Sequence, residues 1–135
     1  MTVQDWLTSR AQQLNQSNTP DLDARLLLQH TLSVNSAWLV AHNDEELTIE
    51  TVAQADALIT RRMNHEPIAY LTGQKEFYGR NFTVSPDVLI PRPESEAIID
   101  QLLALQGDTL QKLRLVDVGS GSGCLGITSK LELPL

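Results

Sequence analysis

Three glycines at alternate positions, Gly119, Gly121 and Gly123, with Ser120 and Ser122 between them, are the residues best suited to hold a ligand. Lacking Cβ atoms, they let the chain turn sharply and bring backbone N–H groups close to a bound molecule, as a nucleotide-like cofactor would need. The same stretch spells a dinucleotide fingerprint through Gly121, Gly123 and Gly126, with a phosphate resting on a helix N-terminus. A turn of glycine and serine with no ligand is the third reading, and glycine spacing alone leaves all three open. Asp117, two residues before the first glycine, discriminates better. A carboxylate there favours a cationic ligand by charge and would repel a pyrophosphate.

Other reactive residue types offer less. Cys124 opens an expected helix, where a thiolate would be stabilised, but a small buried side chain is the commoner outcome. As the single cysteine it builds neither a disulfide framework nor a Cys-rich zinc site, and His30, His42 and His65 lack ligand spacing, so no metal is expected. His65 adjoins Glu66 without a visible nucleophile and reads as a capping or solvated ring. The net charge of −7 comprises an excess of five acids over residues 1–66 and two over the remainder. That is the reverse of a phosphate-tracking surface, so no direct nucleic-acid partner is expected. No apolar run approaches the roughly 20 residues of a membrane span, and the first residues lack a basic region followed by an apolar one. A cytoplasmic protein is expected.

The elements that must position the loop follow from hydrophobic spacing. Val3, Trp6, Leu7, Ala11 and Leu14 stack on one face of a first helix, ended by Ser17-Asn18. Thr19-Pro20-Asp21 supplies a capping hydroxyl, a first-turn proline and an acid for a second helix, buried through Leu22, Leu26 and Leu27. Asn35-Ser36 caps a short third helix over 37–41. Thr48 starts a fourth with Ile49, Val52, Ala53, Ile59 and Met63 inward and Arg61 and Arg62 at its negative end. Helices this short must pack together, so residues 1–66 form a mainly α helical bundle with Trp6 and Trp38 as bulky fillers.

Residues 67–93 change character, giving a β-hairpin and proline-rich linker. Glu76-Phe77-Tyr78 and Phe82-Thr83-Val84 read as strands around a reversal at Gly79-Arg80-Asn81. Three prolines across 86–93 favour an extended strap. Over 94–135, Pro93 opens a helix with Ile98, Ile99, Leu102, Leu103 and Leu105 on its apolar face, Glu94 and Glu96 in its first turn and Gly107 to close it. A strand over 113–118 then enters the glycine loop, and a helix follows over 124–131.

The stretch Arg61-Arg62-Met63-Asn64-His65-Glu66-Pro67-Ile68-Ala69-Tyr70-Leu71-Thr72-Gly73, then Glu76-Phe77-Tyr78, then Leu89-Ile90-Pro91-Arg92-Pro93-Glu94-Ser95-Glu96, resembles one family. It is the protein-(glutamine-N5) methyltransferases of peptide chain release factors, PrmC/HemK-like, and the likeness runs essentially the full chain. Asp117 with the three glycines also resembles the Asp-x-Gly-x-Gly-x-Gly motif of class I methyltransferases.

The resemblance implies transfer of a methyl group from S-adenosylmethionine to the glutamine amide of the Gly-Gly-Gln motif in class 1 release factors. Residues 1–66 would recognise the substrate, and residues 94–135 would begin an incomplete Rossmann-like α/β methyltransferase domain. Asp117, Gly119, Ser120, Gly121, Ser122 and Gly123 would contact the cofactor, joined by Arg92 from the strap, whose other reading is a solvated side chain. The family holds the reacting amide with an Asn-Pro-Pro-Tyr motif that does not occur in these 135 residues. The chain is therefore expected to be a front portion without catalytic residues, inactive alone and weak or absent in cofactor binding. A non-catalytic release-factor-binding module is the alternative. With one strand for a sheet, residues from about 107 onward are expected to be mobile or packed against another surface.

Overall fold

A computed structural model describes residues 1–105 and 114–133. Two compact units divide the chain, Met1–Thr72 and Gly73–Leu135.

In the first unit Thr2 starts α1 (Val3–Gln13) with a reciprocal cap. Its hydroxyl accepts from Asp5 N at 3.1 Å, and the Asp5 carboxylate accepts from Thr2 N at 3.3 Å. Two further N–H groups of that first turn find the loop before the fourth helix, Val3 N donating to Glu45 O and Gln4 N to Asn43 O, each at 2.9 Å. Pro20 opens α2 (Pro20–Leu32), and Ser33 ends it in the left-handed region at φ 56°. The Asn35 side chain accepts from Trp38 N to cap α3 (Ser36–Ala41), and the Thr48 hydroxyl accepts from Thr51 N to cap α4 (Ile49–Met63). The hydrophobic pattern did not signal α5 (Ile68–Thr72), which delivers Leu71 to the core.

Trp6, Leu27, Leu28, Leu39, Ala55 and Ile59 lie at the centre of that core. Trp6 is fully buried as expected, whereas Trp38 sits at the edge, stacked on the His42 ring at 4.2 Å. The faces of two helices differ from the expected ones. On α2 the inner residues are Asp23, Ala24, Leu27 and Leu28, while Leu22 is 52% exposed. The pattern misses this face because one of its positions is an acid. On α4 the inner stripe runs through Val52, Ala55 and Ile59, and Ile49, in the first turn, is 85% exposed. The Thr19 hydroxyl makes no cap for α2, since it donates to the Asp23 carboxylate at 3.3 Å.

That acid is buried because it is fully partnered. Asp23 Oδ2 accepts from Arg62 Nε at 2.8 Å and from the Ser17 hydroxyl at 2.6 Å. Arg62 also donates to the Glu66 carbonyl at 3.2 Å, so the ends of α1 and α4 and the start of α2 meet at one carboxylate. A second acid, Asp56 of α4, accepts from the buried Trp6 indole at 2.9 Å and takes a bidentate pair from Arg10 at 2.6 and 2.7 Å. The hydrogen bonds from Arg10 hold the Asp56 carboxyl below its ordinary value, helped by the Trp6 N–H and the Arg10 charge and opposed by burial.

The second unit begins with an antiparallel hairpin, β1 (Gln74–Phe77) and β2 (Arg80–Thr83), in which Phe77 faces Arg80 and Gln74 faces Thr83. The reversal is tighter than expected and comes earlier. Tyr78 (φ 52°) and Gly79 (φ 73°) make a two-residue turn with both residues left-handed, a geometry that matches strand twist, so Arg80 and Asn81 join the strand. Beyond Val84 the strap expected to be extended over 86–93 begins with a turn, Val88 N donating to Ser85 O at 3.0 Å, and runs without regular structure only over 89–92 before Pro93–Ser95 makes a 3-10 turn leading into α6 (Glu96–Ala104). The last element is α7 (Cys124–Glu132). Phe77, Phe82, Ile99 and Cys124 form the core of this unit. On α6 only Ile99 is fully buried, with Leu103 against it, while Ile98 and Leu105 are about half exposed.

The strand expected over 113–118 is not formed by residues 114–118, so the start of an α/β sheet is not present there. A strand exists through ladder bonds to a neighbour, and among the described residues the one sheet is the hairpin. Gly107, expected to close α6, lies outside the described residues.

Removing the Asp23 carboxylate leaves the Arg62 guanidinium without its main partner. Asp23→Ala is expected to lower stability by roughly 3 kcal/mol, toward the lower end for a broken buried pair because Arg62 keeps some water contact. Tryptophan fluorescence in urea measures this, since Trp6 and Trp38 both lie in the first unit. Asp56 has a folded-state pKa below its unfolded one, so its contribution is complete above about pH 4 and fades as pH falls through the folded value. In Asp56→Asn the acid-induced loss of stability below about pH 4 should be shallower than in the wild type, a comparison made by thermal melts across pH.

Candidate functional site

Gly119, Gly121 and Gly123 adopt φ values of 75°, 55° and 77°, all in the left-handed region that side chains disfavour. A Cβ at Gly119 would meet nothing within 4 Å, so glycine there is needed for its backbone angle alone, and that side of the loop is open. Gly123 N donates to Ser120 O at 2.8 Å, closing the turn, and the Gly123 carbonyl accepts from Ile127 N at 2.9 Å to begin α7. Gly123 therefore stands at the N-cap without a side chain to cap with.

Asp117 supplies that missing acceptor. Its Oδ2 accepts from Gly126 N at 3.1 Å, one of the first-turn donors that has no partner inside the helix. A carboxylate beside a helix N-terminus is favoured by charge as well. Gly126 makes the approach possible, since a Cβ there would stand 3.0 Å from Asp117 Oδ2. The glycine that also completed a dinucleotide fingerprint thus has a local role in accommodating the acid. Asp117 is half-buried and residues 118–121 are exposed, so acid and loop share one accessible surface.

The structure brings Asp117 and Gly119 through Gly123 together in one continuous turn joined through Gly126. Arg92 lies on the separate strap, where Pro91 is buried and Arg92 is exposed. The Arg92 carbonyl accepts from Ser95 N at 3.0 Å to start the 3-10 turn. Cys124 is 8% exposed within the core of the second unit, a packing residue. His65 is left-handed at φ 65°, its N–H donating to Arg62 O at 2.9 Å past the end of α4.

A second cluster surrounds the hairpin turn, and the sequence reading missed it. Glu96, read as a helix-start acid, accepts from Tyr78 N at 2.8 Å. The Tyr78 hydroxyl donates to Asp100 at 3.0 Å, and this bond holds the phenol above its ordinary pKa, with burial and nearby acids adding to the effect. Arg80 donates to Glu132 on α7. The available signal was the i, i+4 spacing of Glu96 and Asp100, which puts both acids on one face of α6.

Residues 5–73 match the family described as PrmC N-terminal domain. Over 99% of its length the chain is 42% identical to the release factor glutamine methyltransferase of Koribacter versatilis, of which it covers 48%. Identity is 41% to that of Neisseria gonorrhoeae, with 99% of the chain aligned to 45% of the relative. For the Escherichia coli K12 enzyme of the same name the identity is 40%, again over 99% of the chain and 48% of the relative. The chain thus spans about half the length of the curated relatives it matches.

Asp117→Ala is expected to remove the α7 cap at about 1 kcal/mol. Gly123→Ala should cost about 1–2 kcal/mol for the left-handed backbone, with a new contact to the Ile127 side chain at 3.1 Å. Hydrogen exchange at α7 amides, compared with those of α1 as an internal control, reads both losses.

Proposed function

The chain belongs to the PrmC N-terminal domain family, and from that premise we propose that it serves S-adenosylmethionine-dependent methylation of the glutamine amide in the Gly-Gly-Gln motif of class 1 release factors. The observation that carries the reading is Asp117 held beside an open glycine loop by the first turn of α7. S-adenosylmethionine when bound supplies a methyl group on a positively charged sulfur. An acid at the loop favours that charge, whereas beside a pyrophosphate it would be unfavourable. The open space beside Gly119 would let the backbone approach the polar part of the same ligand. Ser120 and Ser122 line the turn with hydroxyls, and Arg92 on the strap is the further proposed contact.

In this proposal residues 1–66 recognise the release factor, 67–93 link, and 94–135 open the methyltransferase domain, in the cytoplasm. An amide nitrogen is a poor nucleophile because its lone pair is delocalised, so catalysis needs acceptors that orient its N–H groups in line with the methyl–sulfur bond. No Asn-Pro-Pro-Tyr sequence is present to supply them. The residues here bind and position, and turnover requires groups they do not contain. A second reading is favoured by the first unit's own complete core: a non-catalytic module that binds the release factor.

Incubating the chain with labelled S-adenosylmethionine and a purified class 1 release factor tests this. No methyl incorporation is expected, together with release-factor binding by calorimetry. Incorporation by these 135 residues would overturn the assignment of the missing acceptors. Absence of any release-factor binding would remove the recognition role of residues 1–66.

A further inference from the structure

The two segments proposed to line the cofactor are separated by about 25 positions in sequence, yet a single turn grips the helices that adjoin them. The strap leaves the hairpin at Val84, whose N–H donates to Gly73 O at 3.0 Å. After the 3-10 turn, twelve residues beyond Val84, the first residue of α6, Glu96, returns to accept from Tyr78 N at 2.8 Å. Both ends of the strap are thereby fastened to the same hairpin. On the other side of the turn Arg80 reaches Glu132 near the end of α7, the helix that begins at the glycine loop. Phe77, Phe82, Ile99 and Cys124 pack the hairpin, α6 and α7 into one core.

Tyr78 is an unusual residue for its position. A left-handed backbone at φ 52° costs an aromatic residue free energy that glycine or asparagine would avoid. Two bonds from one face of α6 offset it, Glu96 on the backbone N–H and Asp100 on the hydroxyl.

We infer that the Tyr78-Gly79-Arg80 turn is a positioning clamp, in which Glu96 acts as an acceptor of fixed reach that ties the α6 end of the strap to the hairpin core shared with α7, the helix begun by the glycine loop. This rests on the cofactor reading of Asp117 and the loop. Glu96 touches no cofactor in this role and acts through Tyr78. Its requirement is length, because the oxygen must arrive at the amide, and the negative charge at the start of α6 is incidental.

Two substitutions separate reach from charge. Glu96→Asp keeps the charge at the helix start but withdraws the oxygen by one methylene, while Glu96→Gln removes the charge and keeps an acceptor at full length. In the 135-residue chain, hydrogen exchange at amides of the strap and the 3-10 turn, from Asp87 to Ser95, should accelerate about tenfold in Glu96→Asp and stay near wild type in Glu96→Gln. The opposite order, or no change in either, overturns the clamp. S-adenosylhomocysteine titrated to millimolar concentration, followed by amide shifts at 119–126, reads the site itself. The expected result is a roughly tenfold weaker response in Glu96→Asp than in wild type or Glu96→Gln. Equal responses in all three, with the strap loosened in Glu96→Asp, would overturn positioning. No response in the wild type would instead overturn the cofactor reading of the loop, and the clamp would stand or fall on the exchange result.

Discussion

A polar group taken out of water must be given a partner, and in both units a few contacts that meet that demand fix the packing, although in the second the Thr128 hydroxyl is buried without one among the described residues. In the first unit Asp23 sits on the inner face of α2, where an unpaired carboxylate would be expelled. Arg62 and Ser17 meet it there, and in doing so they fix how α1, α2 and α4 come together at one end. Toward the other side of the bundle the Trp6 indole N–H is satisfied by Asp56, itself neutralised by Arg10. Apolar burial supplies most of the driving force, and these polar contacts select one arrangement of helices among those that would bury a similar area.

The second unit applies the same rule on a smaller scale. A left-handed tyrosine exposes its N–H away from the strand ladder, and Glu96 receives it. A glycine N-cap leaves the first turn of α7 with unmet donors, and Asp117 receives one of them. The acid that marks the candidate cofactor loop is therefore also the acid that starts the helix. The proposed cofactor role is compatible with the capping one, because a single bond through Oδ2 fixes its position beside the glycine loop. In that proposal the cap places a charged group before the ligand arrives, which would lower the cost of binding.

Much of the architecture was legible in one dimension. Pro20, Asn35 and Thr48 marked helix starts correctly, and the aromatic pairs around Gly79 marked a hairpin. The errors have identifiable causes. Hydrophobic spacing alone puts Leu22 inward, yet the paired acid Asp23 takes that place and the helix face turns with it. Residues 114–118 have strand composition, but composition does not supply the neighbouring chain that a ladder requires. α5 is a helix of five residues, too short for periodicity to report.

Residue type and order determined the family resemblance, the glycine loop with its preceding acid, and the succession of helices, hairpin, strap and helix. These are local properties, set by backbone permissiveness, capping chemistry and charge. Tertiary structure alone decided that Asp23 is buried, that Asp117 caps α7 through Gly126, and that Glu96, in the first turn of its helix, also accepts from Tyr78 N. Each of those assignments pairs groups 9 to 39 residues apart. Their partners are chosen by how elements pack, and a desolvated charge or amide takes the nearest complement that packing brings within about 3 Å.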